Sequence, residues 1–554
     1  MRWYYFFLLA VVVGYSVYLL SFTLFDGFST FSNDAASYVL AARKWSPFFD
    51  PSAAESYTVP FLSYPPGFPG LLAITGASES LWSAHLVVSI CMLASLLVMG
   101  FFLGKETSGP LAALTMLSIC SMPGIIVNSL GILSENLYLL LSLGALTVYS
   151  SLRERTQVSW GWNVGLIALI TAAVMTRAAG VALIAAFLIV PALDRQLVPR
   201  QRVVIPLAAV LSFLVWQGWD AGGLGQGVMT YGHVSEYFVS QGLSLGEQIS
   251  AAWQSIYANL VALLWAWNHY FFLTNFDPWF FAFSYLWLAI CTVCLGLRFA
   301  KFRIDAVYIV LYVGVVLLWP FPQELDRFLH PIALLMVAQP VLFVSGRGRQ
   351  TRGHWTRMAV VGVLLALVIQ TGYAQLQLHK LQREAKAEFP ALAHSYEYYA
   401  GEFGYDRLAL AQAYSVASGF IKTSSDRIPE SSIVAAVKHE MYALLADRKA
   451  VASPAVVPFH QQICNFLLSR VDTVFLSQVT SPLNERGLEL LNEYQPFARE
   501  VFPLEAADSP DMAYVIMLDR ASIEEELNSV GFECERIIYA PSPESARKAM
   551  ANHE

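Results

Sequence analysis

The sequence is poor in charged residues. Only 14% of its 554 residues are Asp, Glu, Lys or Arg, and the formal net charge is -7. It has no basic cluster of the kind that follows a phosphate backbone, which argues against binding to nucleic acid. The C-terminal part has no glycine-rich phosphate loop and no nucleophile elbow, and no metal-ligand set of known spacing appears in the chain. A divalent metal is therefore neither required nor excluded.

Cysteine is also scarce, with six residues in the whole chain. Cys291 and Cys294 have C-x-x-C spacing, but no second thiol or imidazole pair accompanies them, so we interpret them as small hydrophobic residues. Cys91 and Cys120 lie in apolar runs and are interpreted in the same way. If the C-terminal part lies outside the cell, Cys464 and Cys534 could form a disulfide, although the sequence does not show that they meet.

The chain does contain long apolar runs, and 56% of its residues are hydrophobic. Runs of this length cross about 30 Å of hydrocarbon as helices, which predicts a mainly α-helical, polytopic membrane protein. We expect eleven spans, at 4–25, 82–103, 109–127, 132–150, 160–176, 178–193, 203–219, 279–297, 305–321, 328–345 and 357–376. A further run, 256–273, is interpreted as an interfacial helix, with Trp253, Trp265, Trp267, Tyr270 and Trp279 as an interfacial aromatic belt.

The distribution of Lys and Arg favours this count of spans. With eleven spans, nearly all the charged residues of the short inner loops are basic, as the positive-inside rule prefers. The first run has no small-residue cleavage site and is interpreted as an anchor with a cytoplasmic N-terminus. The expected location is the cytoplasmic (inner) membrane, with the C-terminus outside. The predicted domains are a membrane domain, 1–379, with outer loops 26–81 and 220–278, and an extracytoplasmic domain, 380–554.

The C-terminal part reads as a small soluble α/β domain. Short buried strands are predicted at 432–437, 449–452, 472–476 and 514–518. Helical stretches separate them at 439–445 and 459–469, and 380–427 is predicted to be a helical connection to the last span.

The outer ionisable residues are of mixed sign and lie near helix ends, where a polar cavity is able to form. Each also has a plainer interpretation. Asp34 suits a helix N-cap or a solvated acid, Glu135 a cap of the fourth span, and Arg177 an arginine that snorkels to the interface. Arg327 and His330 suit a local ion pair with Glu324 or Asp326.

Together, these residues suit transfer of a group from a lipid-linked phosphate. Arginine binds phosphate oxygens bidentately and offsets the charge that grows as a sugar–phosphate bond breaks. A carboxylate is able to accept the proton of an attacking hydroxyl. The same residue types also serve in ion or lipid pathways.

The order of motifs resembles the GT-C superfamily of multi-spanning glycosyltransferases, in particular the protein O-mannosyltransferase and lipid A aminoarabinose transferase relatives (glycosyltransferase family 39-like). An acid and a tyrosine in the first outer loop, Asp34 and Tyr38, are followed by an Ala-Ala-Arg helix and by Tyr-Pro-Pro-Gly-Phe-Pro from Tyr64 to Pro69. The Ser134–Glu135 turn, the Arg177 hairpin and Arg-Phe-Leu-His-Pro from Arg327 to Pro331 come later, so the resemblance covers most of 1–380.

The resemblance implies a GT-C fold and an inverting enzyme that uses a polyprenyl-phosphate sugar at the outer membrane face. It implies Asp34 as the catalytic base, Arg177 and Arg327 as contacts of the donor phosphate, and Glu135 as a pocket-shaping residue. Tyr38, Tyr64 and His330 are further pocket-shaping candidates. Ala35 stands where many relatives have a second acid, and Tyr64 where some have a lysine, which shifts the phosphate contact to the arginines.

Membrane lipids surround the expected enzyme, and its acceptor is a lipid, a glycan or a protein. Two alternatives remain beside it. A ligase or polymerase would transfer a preassembled lipid-linked oligosaccharide, and a transporter would move a lipid or polysaccharide without chemistry. Transporters commonly contain internal repeats and interrupted helices at mid-membrane, and the sequence shows neither.

Overall fold

The computed structural model describes residues 2–29, 33–58, 64–155, 159–219, 245–272, 278–319, 325–345, 354–399, 407–436, 438–452, 459–477, 491–506, 509–532 and 534. The predicted loop 220–278 therefore lies partly outside the described residues, and Glu324 lies outside them.

Helices make up the membrane part. They run over Arg2–Thr23, Asn33–Trp45, Ala53–Thr58, Gly67–Ile74, Leu81–Glu106, Gly109–Cys120, Pro123–Asn128, Glu135–Leu152, Trp160–Thr176, Val181–Leu193, Pro199–Trp219, Leu245–Phe272, Pro278–Phe299, Ile304–Leu317, Leu325–Ser345 and His354–Glu388. The prediction of a mainly α-helical chain is confirmed. The predicted domain boundary at residue 379 lies inside the last of these helices.

Six helices of the described chain are long and apolar enough to cross a membrane, and four shorter apolar helices accompany them. The chain is a multi-pass membrane protein. The predicted span 109–127 consists of two helices that break at Met122, before Pro123. Proline lacks a backbone N–H and disfavours helical geometry in the preceding residue, which explains the break.

Leu245–Phe272 lies across one end of the bundle. Asn259 donates to the carbonyl oxygens of Leu317 and Trp319 at 2.8 and 2.6 Å. His269, ten residues later, lies 3.6 Å from Asp326. Leu317 ends one helix and Asp326 lies in the first turn of the next, so both contacts are made at the same end of the bundle.

The predicted aromatic belt around this helix is wrong in part. Trp253 and Trp279 are 70% and 81% exposed, as a membrane interface requires. Trp267 and Tyr270 are instead buried against neighbouring helices, and the Trp267 indole N–H donates to the carbonyl of Ser284 at 3.2 Å. Aromatic content alone does not separate a lipid-facing side from a protein-facing side.

The C-terminal part is an α/β unit, as predicted. Its strands are β1 (Ile433–Ala436), β2 (Lys449–Ala452), β3 (Thr473–Ser477), β4 (Ala498–Ala506) and β5 (Ser509–Leu518), and its helices are Tyr396–Tyr399, Arg407–Ser424, His439–Ala446, Phe459–Leu468 and Arg520–Ser529. The strand order is β2-β1-β3-β5-β4. β1 pairs in parallel with β2 and β3, and β5 pairs antiparallel with β3 and β4. Cys464 and Cys534 form a disulfide with their Cα atoms 5.6 Å apart.

Sequence analysis missed β4, a strand at the sheet edge. It contains Pro503 and three charged residues, a composition that weakens the strand signal, and proline is tolerated at an edge.

This domain packs on the first long loop of the membrane part. Ser52 donates to Asp447 at 2.8 Å, and the backbone N–H of Ala450 donates to Thr58 at 3.1 Å. Ala36, in the helix that carries Asp34, belongs to the same buried cluster as Tyr442 in the domain. The C-terminal domain therefore lies at the same end of the bundle as Asp34.

Candidate active site

Asp34 lies in the first turn of helix Asn33–Trp45, where the helix dipole favours a negative charge. Its side chain is 21% exposed. The Tyr64 hydroxyl donates to Oδ1 at 2.7 Å, and Arg327 Nη1 lies 2.7 Å from Oδ2. Both carboxylate oxygens are thus engaged, one by a neutral donor and one by a cation.

The segment after Tyr64 is fixed by close packing. Gly67 begins the helix Gly67–Ile74, and a Cβ atom at this position would lie 2.7 Å from Thr176 Oγ1 and 2.8 Å from the carbonyl oxygen of Met175. Only glycine allows this approach. The contact joins the Tyr64 loop to the helix end that immediately precedes Arg177.

Two arginines share the Glu135 carboxylate. Arg177 Nη1 pairs with Glu135 Oε1 and also donates to Ser134 at 3.3 Å. Arg327 Nε lies 3.9 Å from the same Glu135 oxygen. The guanidinium groups of Arg177 and Arg327 lie 4.9 and 5.3 Å from the centre of the Phe328 ring. Asp34, Arg327, Glu135 and Arg177 therefore form one continuous charged cluster.

The plainer interpretations of these residues do not describe their contacts. Glu135 is buried and forms an ion pair with Arg177, which comes from another hairpin. The Arg177 side chain is only 12% exposed, so it does not extend freely into solvent. Arg327 pairs with Asp34 from the first loop, while the neighbouring Asp326 accepts a hydrogen bond from Tyr396 at 2.9 Å.

Tyr38 and His330 lie in different surroundings. The Tyr38 ring lies 5.1 Å from the rings of both Tyr64 and Phe68, and its hydroxyl is 3.3 Å from Ser134 Oγ. His330 is fully buried, with Nε2 2.7 Å from Asn136 and Nδ1 2.8 Å from the Tyr270 hydroxyl. Tyr38 thus adjoins the charged cluster, whereas His330 braces the helix that carries Arg327.

The C-terminal domain adds charges that sequence analysis missed. Burial raises the pKa of Asp34, but the charge of Arg327, hydrogen bonds from Tyr64 and Arg327, and the charge of Lys438 outweigh it and hold the pKa below its ordinary value. Burial, the charge of Asp34 and the hydrogen bond to it, and the charge of Glu440 raise the pKa of Tyr64. Lys438 and Glu440 immediately flank the start of helix His439–Ala446, and no motif links them to the membrane part.

Among the residues that the structure describes, no group of three or more His, Cys, Asp or Glu side chains is arranged to hold a metal ion. The site that these residues do form combines two carboxylates, two arginines, the buried Tyr38 and the half-buried Tyr64 at the end of an apolar bundle.

Comparison with known proteins gives structural similarities at low identity. No protein-family model matches the chain, and a comparison with curated proteins gives no match. ArnT from Cupriavidus metallidurans bound to undecaprenyl phosphate is 14% identical with a TM-score of 0.49, over 92% of this chain and 97% of that chain. The archaeal oligosaccharyltransferase AglB from Archaeoglobus fulgidus, in complex with an inhibitory peptide and a dolichol-phosphate, is 13% identical with a TM-score of 0.48, over 91% of this chain and 73% of that chain.

At TM-scores below 0.5 these similarities carry no conclusion about activity, so function is inferred from the chemistry of the site.

Proposed function

We propose that the protein is an integral-membrane glycosyltransferase that moves a sugar from a polyprenyl-phosphate donor to an acceptor hydroxyl. The observation that carries this proposal is the contact of Asp34 with Arg327 at 2.7 Å, inside a cluster that also contains Glu135 and Arg177. In this cluster, a carboxylate that is able to accept a proton lies next to two arginines that are able to bind phosphate, at the end of an apolar helix bundle.

The proposed reaction is a single displacement. The acceptor oxygen attacks the anomeric carbon of the donor, and the bond from that carbon to the phosphate oxygen breaks. Polyprenyl phosphate leaves with the bonding electrons, and the configuration at the anomeric carbon is inverted. Asp34 accepts the proton of the acceptor hydroxyl, a role that needs the ionised carboxylate.

Arg177 and Arg327 are the proposed contacts of the donor phosphate. Guanidinium groups bind phosphate oxygens in pairs and stabilise the negative charge that develops on the leaving group. In the structure, each arginine pairs with a carboxylate, Arg177 with Glu135 and Arg327 with Asp34. A bound phosphate would compete with Asp34 for Arg327 and leave the carboxylate available to the acceptor.

The apolar helices are proposed to hold the polyprenyl chain, and the C-terminal domain to help bind the acceptor. Lys438 and Glu440 support the second role, since both act electrostatically on groups of the site. We also propose that this end of the bundle faces away from the cytoplasm, because the predicted inner loops are rich in Lys and Arg.

A donor panel tests the proposal. Purified protein in lipid nanodiscs is incubated with several polyprenyl-phosphate monosaccharides, a polyprenyl-diphosphate oligosaccharide and a mixture of candidate acceptors, with empty nanodiscs as the control. We expect one monosaccharide donor to be converted to free polyprenyl phosphate. Consumption of the oligosaccharide donor alone would identify a ligase, and movement of lipid between leaflets without consumption would identify a transporter.

A further inference from the structure

A polar cavity lies at the end of the bundle opposite Asp34. It has a volume of about 310 Å³ and is formed where helices Leu81–Glu106, Glu135–Leu152 and Val181–Leu193 end and Ile304–Leu317 begins. Its ionisable lining residues are Arg153, Arg195, Arg298, Lys301, Arg303, Glu106, Asp194 and Asp305. Basic side chains therefore outnumber acidic ones around this cavity.

Most of the acidic groups are already engaged. Asp194 lies 2.8 Å from Arg153, and Asp305 lies 2.7 Å from Arg298. Glu106 accepts a hydrogen bond from Ser150. An adjoining cavity of about 410 Å³ shares Arg303 and adds Glu154, which lies 3.6 Å from Lys105. The sequence expectation of an almost purely basic inner side is thus wrong, because these acids neutralise part of the positive charge.

Arg303 is one of the lining cations that these ion pairs leave without a carboxylate partner. Its side chain is half-buried, lines both cavities, and makes no ion pair or hydrogen bond among the described residues. Burial, together with the charges of Arg153 and Arg298, lowers the pKa of Arg303, so nearby positive charge is not fully balanced by Glu106 and Asp305. An oxyanion bound beside Arg303 would offset both the burial of its charge and the repulsion from Arg153 and Arg298.

The chain holds Arg303 there through a tight turn. Phe302 adopts a left-handed backbone conformation with φ 49°, which a phenylalanine rarely does, and the backbone N–H of Arg303 donates to the carbonyl of Arg298 at 3.2 Å. The turn brings Arg303 back beside the helix end that carries Arg298.

Apolar side chains are exposed at and near this cavity. Leu193 and Phe302 line the cavity and are 58% and 52% exposed, and Phe299 in the adjoining turn is 40% exposed. In a multi-pass protein such surfaces contact acyl chains, while arginines near helix ends reach the level of lipid headgroups.

We propose that this cavity binds a phosphate group, supplied by the headgroup of an anionic membrane lipid. Orientation of the chain by positive charge explains why basic residues occur at this end. It does not explain a half-buried, unpaired arginine that lines two cavities beside exposed apolar side chains. The inference does not depend on the proposed transferase activity, since the two sites lie at opposite ends of the bundle.

Lipid titration of the purified full-length protein in detergent tests the site. Dioleoylphosphatidylglycerol is compared with zwitterionic dioleoylphosphatidylcholine, and bound lipid is counted by native mass spectrometry. We expect preferential binding of phosphatidylglycerol, about tenfold weaker in Arg303→Gln, because one charge-assisted hydrogen bond is lost. Arg155→Gln is the matched control: it removes the same charge from an exposed residue at the same end that does not line the cavity.

Arg195→Gln is the second cavity variant, and its exposed position makes misfolding an inadequate explanation for weaker binding. Unchanged unfolding temperatures without lipid confirm that both cavity variants are folded. Inorganic phosphate is added in a further titration to separate the two sources. If phosphate displaces bound phosphatidylglycerol, the site binds the phosphate group of the lipid, as proposed. If phosphate binds but phosphatidylglycerol does not bind even when phosphate is absent, the site belongs to a free anion, which overturns the proposal. Equal binding of both lipids, or equal losses in Arg303→Gln and Arg155→Gln, would overturn the proposal.

Discussion

At the scale of single residues, the pairing of Asp34 with Arg327 controls the protonation of the candidate base. Burial favours the neutral acid, whereas the arginine and the hydrogen bond from Tyr64 favour the carboxylate, and the net effect is a lowered pKa. Asp34 is therefore ionised over the neutral range. Protonation, and with it loss of a proton acceptor, occurs only as the pH falls through this lowered pKa.

Removing the arginine should move this titration. In Arg327→Gln the lowering charge is gone while burial persists, so the acid limb of the pH–rate profile should shift upward by about one to three pH units. Tyr64→Phe removes one hydrogen bond and no charge, and a smaller shift in the same direction is expected. The profiles are measured as kcat/KM for the donor, and an acid limb that stays in place in Arg327→Gln would show that Asp34 does not govern it.

The individual residues of this cluster are more predictable from the sequence than their partners are. Asp34, Glu135, Arg177 and Arg327 were recognised because charge is rare near apolar spans. A sequence does not specify that Arg327 pairs with Asp34 and not with its neighbour Asp326. Lys438 lies in another domain and carries no motif, so only the packing of that domain on the first loop reveals it.

At the scale of elements, the short helix Gly67–Ile74 is the contact between the Tyr64 loop and the Arg177 hairpin. Gly67 faces the Met175 carbonyl and Thr176, whereas a Cβ atom on Gly70, in the same helix, would meet nothing within 4 Å. Both glycines lie in the same helix, but only Gly67 is closely packed. The same substitution at the two positions therefore separates the effect of the contact from that of the helix.

Gly67→Ala should destabilise the protein by about 1–3 kcal/mol, because the added methyl group forces the two segments apart. It should also lower turnover, since the Tyr64 and Arg177 segments move relative to each other. Gly70→Ala should leave both properties close to those of the unsubstituted protein. Unfolding temperature and donor turnover are measured for each variant, and identical behaviour of the two would contradict the assigned contact.

The elements themselves were largely predictable. Long apolar runs became helices, and four of the five strands lie where alternating or short apolar runs place them. The errors have physical causes. An edge strand with Pro503 has little strand signal, and the buried faces of Trp267 and Tyr270 depend on which helices surround them.

At the scale of the whole molecule, charge separates into two ends. One end carries the Asp34 cluster and the C-terminal domain, and the other carries Arg298, Arg303 and their neighbours. Helix Leu245–Phe272 contacts Leu317, Trp319 and Asp326 at the Asp34 end, which is consistent with the predicted count of eleven spans.

Single-cysteine labelling tests this orientation. In a background without native cysteines, Glu430→Cys in the C-terminal domain should react with an impermeant maleimide on intact cells or spheroplasts. Arg155→Cys, at the opposite end, should react only after lysis, and both positions are exposed. The reverse pattern would invert the proposed topology and place the Asp34 cluster on the cytoplasmic side.

The central claim is that Asp34 accepts a proton during sugar transfer, and Asp34→Asn tests it most directly. Donor binding and single-turnover transfer are measured separately on the purified variant, with correct folding checked by its unfolding temperature. Donor binding should persist while the transfer rate falls by about 10²–10⁴, because the amide is not able to take the hydroxyl proton. A folded Asp34→Asn protein that transfers sugar at a near-normal rate would contradict it.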